Sequence, residues 1–183
     1  MTSKQQLQES FDKLSQEILH YKKNDLKDKD KRKNIQDSYS KLSEIVCDDV
    51  NSKSILEIDL EQYIKPQGYC EVLAYAIGLL DNLKKSQLRK FFNEIKSLEY
   101  DIKGTGDIKD INKIKIKIIS LIPKLAYSKG RGLIDEHFFE FMRTLLTSLR
   151  NDINEQNAQE IFGIFVSILE AILAYHTFYF KEA

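Results

Sequence analysis

Only two prolines and seven glycines punctuate these 183 residues, where average usage would supply about 9 and 13. So few turn formers leave little to separate short strands, which argues against sandwiches and barrels, and against collagen-like or disordered chains. The two cysteines, Cys47 and Cys70, lie far apart without a C-x-x-C partner. Neither a disulfide framework nor a zinc site is indicated, and both read as reduced thiols. No basic N-terminal stretch leads into an apolar run and a small-residue cleavage site, so the chain reads as cytoplasmic. The longest apolar segment, 161–180, is interrupted by Gly163, Ser167, Glu170 and His176. It reads as a buried helix rather than a membrane span of about 20 apolar residues.

Catalytic signatures are missing as well. There is no G-x-x-x-x-G-K-[ST] loop, no G-x-G-x-x-G after a strand and no G-x-S-x-G elbow. His20, His137 and His176 have no partner at i+4 and no carboxylate pattern suited to a metal, and read as structural. Asp135, Glu136 and Glu140 open a helix, where carboxylates favour the positive end of the dipole, so a capping role is expected of them. The expectation is a protein that is not an enzyme and needs no metal or cofactor.

Net charge is absent too, since 28 Lys/Arg meet 28 Asp/Glu, but the distribution is uneven. Residues 84–131 hold 13 basic against 5 acidic side chains, whereas both flanks are acidic. A local excess on one surface is what an electrostatic footprint for nucleic acid requires, and a neutral total hides it.

What is present is helical periodicity. Leu7, Phe11, Leu14 and Ile18 share one stripe, which predicts a helix over 4–21. The run 22–33 carries seven basic and three acidic residues and predicts a solvated turn or helix end. Periodic spacing predicts further helices over 34–50, 69–83, 86–102, 107–128, 135–150 and 155–180, with Ser86 and Asn154 as N-caps. Segment 51–66 stays a connector of unassigned form. The alternating KIKIKI of 113–118 resembles a strand, but Ile111, Ile114, Ile118, Leu121 and Leu125 recur at spacings of 3 and 4, which only a helix puts on one face. Length and pattern together give one soluble all-α protein of a single domain with or without an appendage.

Two basic ridges follow from these helices. Lys109, Lys113, Lys117, Ser120, Lys124 and Tyr127 fall opposite the isoleucine stripe at 100° per residue. Pro123 is expected to kink that helix and re-aim its last turn. Arg89, Asn93 and Lys96 form a second ridge opposite Phe91 and Phe92. Gly130 is expected to let the chain turn sharply, directing Arg131 back toward the lysines. Lysine and arginine neutralise phosphates without reading bases, and a nearby ring can stack on any base. The alternative is an ordinary solvated helix face on a protein-binding adaptor.

The runs SQLRKFFNEI (86–95), PKLAYSKGRG (123–132) and ILAYHTFYF (172–180), in this order and spacing, resemble the small subunit of type III-A CRISPR effector (Csm) complexes. The likeness covers 67–183 and leaves 1–66 as an N-terminal helical extension with a charged linker. It implies an all-α, compact bundle of about five helices beside that extension, working in antiviral defence. It further implies a non-catalytic, sequence-independent RNA-binding scaffold, stacked in several copies along guide and target RNA and bound to the other effector subunits, with no membrane partner. Matching positions are Arg89 and Lys90 in the first motif, and Lys124, Tyr127, Lys129 and Arg131 in the second. The small subunit of III-B complexes is the nearest confusion, and a helical protein–protein adaptor without RNA binding is the alternative function.

Overall fold

The computed structural model describes residues 3–80, 83, 85–103 and 110–180, and it is all-α throughout them. Helix α1 (Ser3–His20) leads through a 3-10 turn at Lys23–Lys27 to α2 (Lys29–Asn51). A second 3-10 turn at Ile55–Glu57 and the short α3 (Leu60–Ile64) then connect to α4 (Tyr69–Leu79). There follow α5 (Lys85–Lys103), α6 (Ile111–Ile119), α7 (Leu121–Gly130), α8 (Glu136–Asp152) and α9 (Ala158–Tyr179). The all-α bundle expected from the sequence is what is found.

Local chemistry explains the boundaries that differ from the expected ones. Helix α2 begins at Lys29 because Asp28 caps it, its carboxylate accepting from the N–H groups of Asp30 at 2.9 Å and Lys31 at 3.2 Å. The basic run is thus partly helical, yet solvated as expected. Segment 51–66 gains its two short elements from the caps Ser54 and Asp59. Ser86 lies inside α5 and caps nothing at its start. Asn154 caps a turn instead of a helix, accepting from the N–H groups of Gln156 and Asn157, and α9 starts only at Ala158.

The helix expected over 107–128 is two helices. Pro123 has no N–H to give the carbonyl of Ile119, four residues back, and its ring crowds that carbonyl. The ladder accordingly stops at Ile119, one turn before the expected kink, and the Ser120 hydroxyl donates to the Lys117 carbonyl at 2.7 Å. At the other end of α7 the N–H of Leu133 bonds the Ser128 carbonyl at 3.0 Å and that of Gly132 the Lys129 carbonyl at 2.8 Å. This is a Schellman closure, and the left-handed residue it needs is Gly132, with φ +65°, and not Gly130. Gly104, Thr105, Gly106 and Lys109 lie outside the described residues.

Helix α9 occupies the centre. It packs most extensively on α4, then on α5, and also meets α3 and α8. On α9, Ile161, Phe162, Phe165, Ile168, Leu169 and Ile172 are buried, while Ile164 and Tyr175 are only partly so. The N-terminal extension enters the same core, because α2 lies along α8 and α1 packs on both α2 and α4. Tyrosine and serine hydroxyls fix this arrangement at long sequence range. Tyr39 donates to Asp135, the cap of α8, at 3.2 Å, Ser54 to Asp152 at 2.9 Å, and Tyr75 to the carbonyl of Tyr21. Tyr63 donates to Asp49 at 3.0 Å. His137 rests edge-on against Tyr39, and His176 is buried beside Phe180.

These phenols have a consequence at high pH. Burial, and next the Asp135 carboxylate, holds Tyr39 well above the ordinary phenol value of 10, and burial with Asp49 does the same for Tyr63. Tyr69 is pushed up, chiefly by burial, to about 12. A phenol whose pKa rises on folding keeps its proton more tightly in the folded state. For Tyr69 that contribution is complete below pH 10 and lost as pH climbs through about 12, and Tyr39 and Tyr63 act in the same direction. Urea midpoints are therefore expected to hold steady up to about pH 9 and to fall steeply above about pH 10. A flat profile up to pH 12 would count against these buried hydroxyls.

Candidate nucleic-acid interface

Each cation singled out in the sequence, Lys109 apart, is placed by its helix. Leu88, Ile95, Leu98 and Ile102 bury one stripe of α5, which leaves Arg89 and Lys90 exposed on its outer side. Among the described residues neither forms an ion pair. Lys96, the third basic position of that ridge, is spent inside the fold. Its ammonium pairs with Glu99 at 2.7 Å and with Glu170 of α9 at 2.8 Å, and lies 5.5 Å from the centroid of Phe92. It is a strut between α5 and α9 and drops out of the basic ridge.

On α6, burial of Ile114 and Ile118 turns Lys113 and Lys117 to solvent. Asp110 caps this helix through the Lys113 N–H at 3.1 Å, and its carboxylate stands 3.5 Å from the Lys113 ammonium. On α7, buried Leu121 and Leu125 leave Lys124 and Tyr127 outward. The break at Ser120 does not separate the two lysine groups, since Lys117 and Lys124 line one shallow hollow of ≈ 240 Å³ together with Glu94 and Ser120.

Lys90, Lys124 and Tyr127 meet across a larger cleft of ≈ 420 Å³ between α5 and α7. Glu94 of α5 bridges to Lys124 at 2.7 Å and ties the two helices at that cleft. Tyr127 is 66% exposed, and the Arg131 guanidinium lies 5.6 Å from its ring centroid, within the range of a cation–π contact. Because the Schellman closure already satisfies the end of α7 through backbone groups, the Arg131 side chain is not needed as its cap. Among the described residues Arg131 makes no ion pair. Lys129 is turned the other way. It pairs with Glu136 at the head of α8 and sits 4.8 Å from the Phe139 ring, which fastens α7 to α8.

The expected residues thus divide. Lys90, Lys117, Lys124, Tyr127 and Arg131 are drawn into one neighbourhood, Lys113 extends it along α6, Arg89 lies beside it on α5, and Lys129 is engaged elsewhere. Glu94 and Phe91 were not among the expected site residues. Phe91 was placed with Phe92 on the face opposite the second basic ridge, yet adjacent rings on a helix point about 100° apart. Phe91 and Phe92 are in fact both only partly buried, and Phe91 forms a wall of the cleft. Cys70 is buried, its thiol donating to the Ile168 carbonyl at 3.6 Å and pushed up by burial, and Cys47 is half-buried; both are free thiols. Among the described residues no group of three or more His, Cys, Asp or Glu could hold a metal ion.

Comparison with curated proteins and with solved structures gives no match. A family profile described as Csm2 Type III-A does match, over residues 61–182, from α3 to beyond the end of α9. That span holds every residue of the interface just described and leaves α1 and α2 outside it. With two thirds of its length matched, the chain belongs to the Csm2 Type III-A family and is a subunit of a type III-A CRISPR effector complex, its partners the other Csm subunits.

Proposed function

We propose that this subunit is a non-catalytic, cytoplasmic scaffold that holds the backbone of guide and target RNA without reading sequence, and that several copies stack along that RNA. The observation that carries the reading is the grouping of Lys90, Lys124 and Arg131 around Tyr127, with Lys117 next to Lys124, on the basic middle of the chain. Cations at this density with an exposed ring among them suit phosphates and any base face. Helix α9 is long and apolar enough to cross a membrane by composition, but its packing on α4 and α5 supports its use as a core helix.

Salt dependence tests the proposal. Unrelated RNAs are expected to bind this protein with nearly equal affinity, and the logarithm of affinity to fall linearly with that of salt. Replacing Lys113 and Lys117 by Ala should weaken all of them alike and flatten the slope by up to about 1.4, at about 0.7 per lost single-strand contact. An adaptor that binds only protein would show no such slope. A double variant with an unchanged slope would remove the α6 ridge from the interface.

A further inference from the structure

The cleft between α5 and α7 is more than a gap between lysines. Helix α5 lies chiefly on α9 and α7 on α8, so the two diverge where they face each other. The opening of ≈ 420 Å³ is within the range of about 300–1,000 Å³ that small-molecule sites occupy. Its floor is apolar, from Leu88, Leu125, Ile134 and Phe138, with Phe91 as one wall. Its polar groups stand at the rim, where Lys90 of α5 faces Lys124 of α7, itself held by Glu94 at 2.7 Å, and Tyr127 is exposed between Lys124 and Arg131.

We propose that this cleft takes one unpaired base of the bound RNA, its flat ring against Phe91 and Tyr127 and a flanking phosphate on Lys90, the rim lysine that no carboxylate holds among the described residues. This rests on the RNA-binding reading above. Charge complementarity selects the occupant. An apolar side chain of a partner protein would fill the floor but leave Lys90, which has no ion pair among the described residues, without a counter-charge. A nucleotide brings a ring and anions in one unit. Stacking of this kind tolerates any base, because every base has a π-face, so the cleft adds affinity without adding sequence preference.

The experiment compares, by fluorescence anisotropy on the full chain, an oligouridine strand with a strand of equal length made only of abasic ribose phosphate. The abasic strand is expected to bind about ten-fold or more weakly, from the loss of base stacking. Ser128→Phe, which places a ring in the mouth, should weaken oligouridine by a similar factor and leave the abasic strand unchanged. Lys90→Ala should weaken both. Should Ser128→Phe fail to fold, as read from its melting curve, Gln87→Phe blocks the same mouth from α5. Equal affinity for the two strands, with a salt slope that Lys90→Ala reduces, would overturn the base site and leave the backbone reading standing. So would a folded plug variant that binds oligouridine as well as wild type. Failure of the wild-type chain to bind either strand would overturn both.

Discussion

Phe165→Ala is expected to cost about 3–5 kcal/mol, the range for deleting a buried phenylalanine from a packed core. Phe165 is fully buried on α9, tilted against Phe162 at 5.7 Å between ring centroids, on the helix against which α4 and α5 pack. Neighbouring side chains can close only part of the space it leaves, so the loss combines transfer free energy with a residual cavity. Against a whole-domain stability of about 5–15 kcal/mol, the denaturation midpoint should fall far. Phe178→Ala is the control. It removes a ring from the same helix, but one that is 67% exposed, and should stay within about 0.5 kcal/mol of wild type. A Phe165→Ala midpoint close to wild type would show that α9 is not the centre of the fold.

Trimming the chain to residues 61–183 should be costlier still. The segment removed carries Phe11, Ile18, Ile35, Tyr39, Leu42 and Val46, all buried in the shared core. At about 1.5–3 kcal/mol for each large apolar side chain, their burial contributes on the order of 10–20 kcal/mol, which matches or exceeds the net stability of a domain. Removal also strips the covering from α8 and part of α4, and leaves the cap Asp135 without the Tyr39 hydroxyl. The trimmed chain is expected to lose a cooperative thermal transition and to bind a hydrophobic dye such as ANS. A cooperative transition near that of the full chain would show that the part matching the family folds without its N-terminal extension.

The helices were legible because their signal is local. Spacings of 3 and 4 along Ile111, Ile114, Ile118, Leu121 and Leu125 outweighed the strand-like alternation of KIKIKI, and the described part of that region is helical. Boundaries were less legible where one side chain decides them. Asp28 was read as one more charge in a polar run and is the cap that starts α2. Pro123 was correctly read as a disruption, but the break falls at the carbonyl it crowds, one turn earlier. Gly130 and Gly132 both permit a left-handed backbone, and only the placement of the last helical hydrogen bonds selects Gly132. At the candidate site, spacing fixed which lysines face outward. It could not reveal that Lys96 is claimed by Glu170, some seventy positions later, or Lys129 by Glu136 of the next helix. The cleft itself belongs to the distance between α5 and α7, which depends on what each rests upon.

The pairing of α4 with α9 also bears on how the chain is made. Ten of the eleven residues of α4 are buried, and the helix packs chiefly on an element that follows it by about half of the chain, as the bond from Cys70 to Ile168 across 98 positions illustrates. At a synthesis rate of about 5–20 residues per second, α4 waits roughly 5–20 s on the ribosome before α9 is complete. During that interval α1, α2 and α3 are the already synthesised elements that pack against it. These N-terminal helices are thus placed to cover part of the apolar surface of α4 before α9 has been made.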